Sequence, residues 1–217
     1  MKNNFLKRLI SSLFIIPVVF FIIFKDDYLF NLFLMMCLII SLYEWNKMII
    51  NQFFKILGIF FILMSFYSAY YLKVSLIKFD IFSFLVILLI CIFTDIGGYS
   101  FGKIFRGPKL NKISPNKTYA GALGGVICSL IFLYLSLNYV NPLQKFNIIF
   151  DFKNVCYVVI FSLISQIGDF IVSYFKRISN LKDTGKLIPG HGGILDRIDG
   201  MIFVFISFYI INNFYGI

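Results

Sequence analysis

The acidic side chains that could do chemistry lie toward the C-terminal end of the chain. Asp169 sits inside an apolar stretch, where a carboxylate costs about 2.5–3.5 kcal/mol on insertion scales and therefore faces a protein interior or a watery cavity. Asp196 and Asp199 are three residues apart, which places both carboxylates on one face of a helix. Together the three supply hard oxygen ligands of the kind that Mg²⁺ takes. The alternatives are a polar seam between helices for Asp169 and favourable charge at a helix N-terminus for the others.

A polar stripe runs from Asp169 towards the loop that follows it. Helical spacing places Ser173, and then Lys176 or Arg177, on the same face as this carboxylate. The next segment, "KDTGKLIPGHGGILDRIDG", is rich in glycine. Glycine permits backbone conformations in which successive N–H groups form an anion-binding nest. The polar stripe and the glycine-rich loop together indicate a site for an anionic ligand.

A second anion-binding segment is "SPNKTYAG". Ser114 is predicted to cap a helix, with Lys117 and Thr118 in its first turn. A lysine there opposes the helix dipole unless an anion binds, so the segment points to phosphate. Asp95 ends an apolar run, and simple solvation at the membrane interface explains it about as well as a functional role. For His191, the one histidine, a hydrogen bond to phosphate or a structural role fits better than metal ligation.

The elements that must position these groups are membrane helices. Hydrophobic residues make up 60% of the 217 residues and charged residues 14%, against about 45–50% and about 25% in soluble domains. This composition excludes a soluble enzyme, a secreted disulfide scaffold and a disordered tail. The net charge of +10 indicates loops that face anionic lipid headgroups or an anionic substrate, with no nucleic-acid partner. The four cysteines lack metal-ligand spacing and are interpreted as packing residues.

Hydropathy predicts an all-α polytopic integral membrane protein, with residues 1–217 forming a single transmembrane domain. The seven predicted spans are roughly 8–24, 28–43, 55–72, 79–94, 119–140, 154–175 and 198–214. A cytoplasmic N-terminus places 15 of the 20 Lys and Arg residues on the inner side, as the positive-inside rule requires. Both long polar loops, about 95–118 and 176–197, then face the cytoplasm, so the active-site region is predicted at about 95–200.

The segment from Ser173 to Gly200 resembles the signature of the phosphatidate cytidylyltransferases, the CDP-diacylglycerol synthases. Matching residues are Ser173, Lys176, Arg177, Lys182, Asp183, Pro189, His191, Gly192, Gly193, Asp196, Arg197 and Asp199. Upstream, "QIGD" resembles the family's Gln-x-Gly-Asp, "SPNKTYAG" its SPKKTWEG, and "DIGGYSFGKIFRG" its Asp-x-x-Ala-Tyr-x-x-Gly. The resemblance is firm from about 95 to 200. Asn116 and the pair Tyr119-Ala120 depart from the family pattern, so Ala120 offers no carboxylate.

The resemblance implies that the protein transfers the cytidylyl group of CTP to phosphatidate, with Mg²⁺ and at the cytoplasmic face of a bacterial inner membrane. The products would be CDP-diacylglycerol and pyrophosphate. The expected catalytic residues are Asp169, Ser173, Lys176, Arg177, Asp196 and Asp199, of which Asp169, Asp196 and Asp199 hold the metal. The expected substrate-binding residues are Lys117, Thr118, Lys182, Asp183, His191, Gly192, Gly193 and Arg197. A second metal ion and a homodimer are left open.

Three other classes of protein compete with this interpretation. A transporter would place ionisable residues at mid-membrane in several helices, whereas essentially one, Asp169, lies well inside a predicted span. A CDP-alcohol phosphotransferase also uses aspartates near a membrane surface, but its Asp-Gly-x-x-Ala-Arg signature is absent. A non-catalytic scaffold or decayed enzyme is supported only by Tyr119-Ala120.

Overall fold

The computed structural model describes residues 17–74, 81–110, 114, 117–139, 151–188, 190 and 192–215. Within these ranges the regular elements are helices, which confirms the predicted all-α class. They are α1 (Asp27–Met48), α2 (Gln52–Val74), α3 (Ile81–Phe105), α4 (Tyr119–Tyr139), α5 (Phe152–Ile178), the short α6 (Leu195–Ile198) and α7 (Met201–Tyr215). Residues 17–24 are also helical.

Among the described residues, five helices, α1 to α5, are long and apolar enough to cross a membrane, and α7 is a shorter apolar helix. They correspond to the second to seventh predicted spans. The first predicted span, 8–24, lies mostly outside the described residues. The count of seven and the cytoplasmic N-terminus stay predictions.

Two predicted boundaries were wrong. The span expected to end near residue 94 continues as α3 to Phe105, so Asp95 lies inside a helix. The helix expected to begin after Ser114 starts instead at Tyr119. Thr118 caps it, because its Oγ1 accepts a hydrogen bond from the N–H of Gly121 at 3.0 Å.

Backbone pairing explains the later start of α4. The N–H of Leu110 donates to the carbonyl of Lys117 at 2.9 Å, and the N–H of Tyr119 donates to that of Pro108 at 3.2 Å. These bonds hold the residues before α4 against the strand-like segment that follows α3. Lys117 therefore lies ahead of the helix rather than in its first turn.

Glycines let α3 and α4 pack closely along much of their length. A Cβ on Gly97 would collide with the carbonyl oxygen of Gly124, and a Cβ on Gly125 would lie 2.9 Å from the carbonyl oxygen of Thr94. Such small-residue contacts are typical of helix pairs in membranes, where van der Waals packing drives association. This packing explains why α3 continues through the glycines beyond residue 94.

The apolar core is divided between two clusters. One gathers aromatic and aliphatic side chains from α1 to α5 and α7, among them Phe30, Phe84 and Phe161. The other surrounds Trp45, whose ring meets Phe175 edge-on at 5.2 Å and whose Nε1 donates to the carbonyl of Lys55 at 3.2 Å. This second cluster contains Leu195 and Ile202, so it anchors the glycine-rich loop and the start of α7 against α1 and α5.

Adjacent glycines on α3 provide a matched test of this packing. We expect Gly97→Ala to destabilise the protein by about 1–3 kcal/mol, because the added methyl meets the α4 backbone. Gly98→Ala should be neutral or stabilising, because its Cβ meets only the carbonyl oxygen of Gly121 at 3.8 Å and alanine favours a helix. The resembled signature has alanine at this position. Thermal unfolding in detergent measures both, and equal losses of stability would contradict the packing described.

Candidate active site

Asp169 lies on α5 between a lysine and a hydroxyl group. Lys117 forms an ion pair with its Oδ2, and Ser173, one turn later, donates a hydrogen bond to its Oδ1 at 3.2 Å. Both Asp169 and Lys117 keep 28% of their side-chain surface exposed, so the pair borders open space. The predicted helical face is thus confirmed for Asp169 and Ser173, and a distant segment supplies the cation.

Lys176 occupies a buried position one further turn along α5 and lies between two aspartates. Its Nζ is 2.9 Å from Asp196 Oδ1 and 3.9 Å from Asp199 Oδ2. The two carboxylates therefore converge on one cation, in agreement with their predicted shared face. They do not open a continuous last helix, because α6 ends at Ile198 and α7 begins at Met201.

Asp196 is bonded to the loop through its second oxygen. Its Oδ2 accepts the N–H of Thr184 at 2.8 Å and the N–H of Gly193 at 2.9 Å. Burial alone would raise the pKa of Asp196, but the hydrogen bonds from Gly193, Lys176 and Thr184 outweigh it and lower the pKa. With both oxygens engaged, Asp196 is better suited to hold the loop than to ligate a metal.

Asp199 lies in the turn ahead of α7, where its carboxylate is largely buried. Burial raises its pKa well above the usual range, the carboxylates of Asp169 and Asp95 add to this effect, and Lys176 offsets part of it. Lys117 and Arg197 in turn act electrostatically on Asp95. The carboxylates of Asp95 on α3, Asp169 on α5 and Asp199 in this turn therefore interact electrostatically with one another.

A magnesium ion fits this group in part. Among the described residues, no three His, Cys, Asp or Glu side chains converge closely enough to enclose a metal ion. Mg²⁺, however, is usually held by one or two carboxylates together with substrate phosphates and water, rather than by an all-protein cage. Asp169 and Asp199 supply such carboxylates, next to the cations that would contact phosphate.

The predicted backbone nest is present, and an internal carboxylate occupies it. The N–H groups of Ile194 and Leu195 donate to Glu44 of α1, at 3.1 and 2.8 Å. Thr184 Oγ1 donates to the same carboxylate at 3.0 Å. Sequence reasoning missed this residue, although Glu44 is the only glutamate in the chain and precedes the only tryptophan.

The remaining predicted residues lie around this loop or beside it. Lys182, Asp183 and Arg197 are exposed, and the exposed Arg177 donates from Nη1 to the carbonyl of Leu181 at 3.2 Å. Gly192 has a φ of 88°, a left-handed conformation that favours glycine. His191 lies outside the described residues.

Comparisons with known proteins agree on one family. The family model described as "Cytidylyltransferase family" matches residues 56–215. A phosphatidate cytidylyltransferase of Staphylococcus saprophyticus is 39% identical over 152 residues, which are 70% of this chain and 55% of that protein. One of Rickettsia conorii is 31% identical over 207 residues, which are 93% of this chain and 88% of that protein. The chain thus spans about half the length of the staphylococcal relatives it matches.

Replacement of Asp196 tests its role in the loop. We expect Asp196→Asn to lower the free energy of unfolding by about 3–5 kcal/mol, the usual effect of leaving a buried charge without its partner. Asp183→Asn, on the exposed part of the same loop, should change little. Thermal unfolding in detergent measures both.

The difference in stability between wild type and Asp196→Asn should depend on pH, because the pKa of Asp196 is lowered in the folded protein. An aspartate whose pKa is lower in the folded state stabilises the protein above the ordinary value of 3.8. The contribution disappears as the pH falls through the lowered folded-state value. The gap between wild type and Asp196→Asn should therefore narrow in acid, and a gap that does not change with pH would contradict the assigned bonds.

Proposed function

Because the chain belongs to the cytidylyltransferase family, we propose that it transfers the cytidylyl group of CTP to phosphatidate, giving CDP-diacylglycerol and pyrophosphate. The relatives named phosphatidate cytidylyltransferase support this choice of substrates. The observation that carries the proposal is the site itself. The site contains two carboxylate–lysine pairs, Asp169 with Lys117 and Asp199 with Lys176. Both pairs lie at the same end of the helices as the glycine-rich loop.

The reaction suits a site of this composition. A phosphate oxygen of phosphatidate would attack the α-phosphorus of CTP, and the bond from that phosphorus to the departing pyrophosphate would break. The second pKa of a phosphate monoester is about 6, so the nucleophile is largely deprotonated at neutral pH and needs no strong general base. The main obstacle is repulsion between two anions, which preorganised cations reduce.

The basic side chains divide between the two substrates in our proposal. Ser173, Lys176 and Arg177 follow one another on α5 and would contact the lipid phosphate or the α-phosphate. Lys117 and Arg197 would hold the triphosphate, together with Thr118. Lys117 pairs with Asp169, so phosphate oxygens would replace a carboxylate as its partner when substrate binds.

Asp169 and Asp199 would hold Mg²⁺, which supplies neutralisation of phosphate charge when it is bound. Burial raises the pKa of Asp199, and repulsion from Asp169 adds to it, so a cation between the two carboxylates would favour their charged forms. Asp196, which was also predicted as a ligand, would instead keep Lys176 in place through its ion pair. A second metal ion stays a prediction.

The proposed location is the cytoplasmic face of a bacterial inner membrane. It rests on the distribution of Lys and Arg between the predicted inner and outer segments. Exposed apolar side chains cover α1 and α2, including Met35, Ile39 and Phe60, as expected for helices that face lipid. A homodimer stays an expectation from the resemblance alone.

Pyrophosphate release by the detergent-purified protein tests the proposed reaction. We expect release that requires phosphatidate, Mg²⁺ and CTP together and that stops when a chelator is added. ATP, GTP and UTP serve as nucleotide controls. If well-folded protein releases no pyrophosphate in several detergents, a decayed enzyme would be favoured. Equal pyrophosphate release with all four nucleotides would contradict the choice of CTP.

Two aspartates, one within α5 and one at its N-cap, provide a matched test of the site. Asp169→Asn should lower kcat by about 100-fold or more, since it removes a carboxylate that is proposed to hold Mg²⁺ beside the reacting phosphates. Asp151→Asn, at the N-cap of the same helix, should retain activity because asparagine caps a helix equally well. Steady-state pyrophosphate release measures both variants. Wild-type kcat in Asp169→Asn would exclude Asp169 from the site.

A further inference from the structure

Glu44 is a buried carboxylate that belongs to α1 but bonds to a loop about 150 residues later in the chain. Only 3% of its surface is exposed. Oε1 accepts the N–H of Ile194, and Oε2 accepts the N–H of Leu195 and the hydroxyl of Thr184. A buried carboxylate is costly unless it is paired or hydrogen-bonded, and here all the donors come from the one loop.

The loop backbone is shaped around this carboxylate. A Cβ on Gly185 or on Gly193 would collide with the Glu44 carboxylate oxygens. Glycine is thus required at both positions by the close approach of a side chain rather than by a substrate. The carboxylate fills the nest as a bound anion would, which leaves the recognition of substrate phosphate to lysine and arginine side chains.

A continuous set of bonds leads from Glu44 to the proposed site. Thr184, which donates its hydroxyl to Glu44, donates its N–H to Asp196. The N–H of Gly193, next to the two amides that bind Glu44, also donates to Asp196. Asp196 holds Lys176, and Lys176 faces Asp199.

We propose that Glu44 is a positioning residue: its carboxylate serves as the internal anion of the loop nest and so places Asp196, Lys176 and Asp199 for phosphate transfer. The positioning of catalysis rests on the proposed function, whereas the anchoring of the loop does not. Glu44 bonds to the loop and acts on the site through it. Its removal should therefore affect turnover more than lipid binding.

The variant Glu44→Gln tests this proposal with little change in volume. Glutamine presents one acceptor oxygen and one NH₂ group, so in either orientation one of the two loop amides loses its acceptor. Ser41→Ala is the matched control, because Ser41 is fully buried on the same helix and its hydroxyl donates within α1, to the carbonyl of Cys37 at 2.7 Å. Its kinetics should equal those of the wild type.

Two measurements follow the two parts of the proposal. Hydrogen exchange followed by mass spectrometry should show exchange about tenfold or more faster in peptides that contain Ile194 and Leu195 in Glu44→Gln, since hydrogen bonds to a charged group have been lost. Exchange in α3 and α4 should stay unchanged. Pyrophosphate release should show kcat lowered about tenfold or more, with the KM for phosphatidate within about twofold of wild type.

Each outcome decides one part. Unchanged exchange at the loop peptides would overturn the anchoring role. Faster exchange with wild-type kcat would overturn the positioning role. A uniform rise in exchange across α3, α4 and the loop, with kcat and KM altered together, would show a merely structural residue. If the wild type releases no pyrophosphate, the proposed function fails and so does the positioning of catalysis, while the exchange experiment still decides the anchoring.

Discussion

The compensation of buried negative charge is the constraint on which the rest of this structure depends. Carboxylates that lie among apolar helices have little or only partial access to water, so they depend on donors or cations from the protein. Glu44 is satisfied by the glycine-rich loop, Asp196 by that loop and Lys176, and Asp169 by Lys117. These partners come from distant parts of the chain, so satisfying the charges also assembles the site.

Several glycines are needed because another part of the protein packs directly against their backbone, rather than because the chain needs conformational freedom there. In the loop, Gly185 and Gly193 make room for the carboxylate of Glu44. At the start of α7, a Cβ on Gly200 would collide with Ser165 of α5, at 2.5 Å from its Oγ. Since backbone and side chain meet directly at these places, the loop and the last helix are held against α1 and α5, and the position of Asp199 follows from that packing.

The pairing of Lys117 with Asp169 gives the proposed reaction a physical starting point. Each side chain retains some exposure. In the proposed reaction, Lys117 would therefore exchange Asp169 for a substrate phosphate, and Asp169 would exchange Lys117 for a cation. Asp199 interacts electrostatically with Asp169, and burial together with this repulsion raises the pKa of Asp199. Lys176, by contrast, is buried between two aspartates and acts as a fixed cation. The departure at Tyr119-Ala120 falls at the beginning of α4, two residues after Lys117, and leaves both carboxylate–lysine pairs intact.

Composition and periodicity by themselves determined the all-α class, the approximate places of α1 to α5 and α7, and the shared face of Asp169 and Ser173, because these depend on local hydropathy and helical spacing. Tertiary structure alone decided that Lys117 pairs with Asp169, that Asp196 is bonded to the loop, and that Glu44 fills the nest. The continuation of α3 past Asp95 and the start of α4 at Tyr119 also depend on contacts between segments. Each of these features depends on a bond or a close approach between residues far apart in the chain. Neither residue spacing nor hydropathy encodes such contacts, because they form only when the segments meet in the folded bundle.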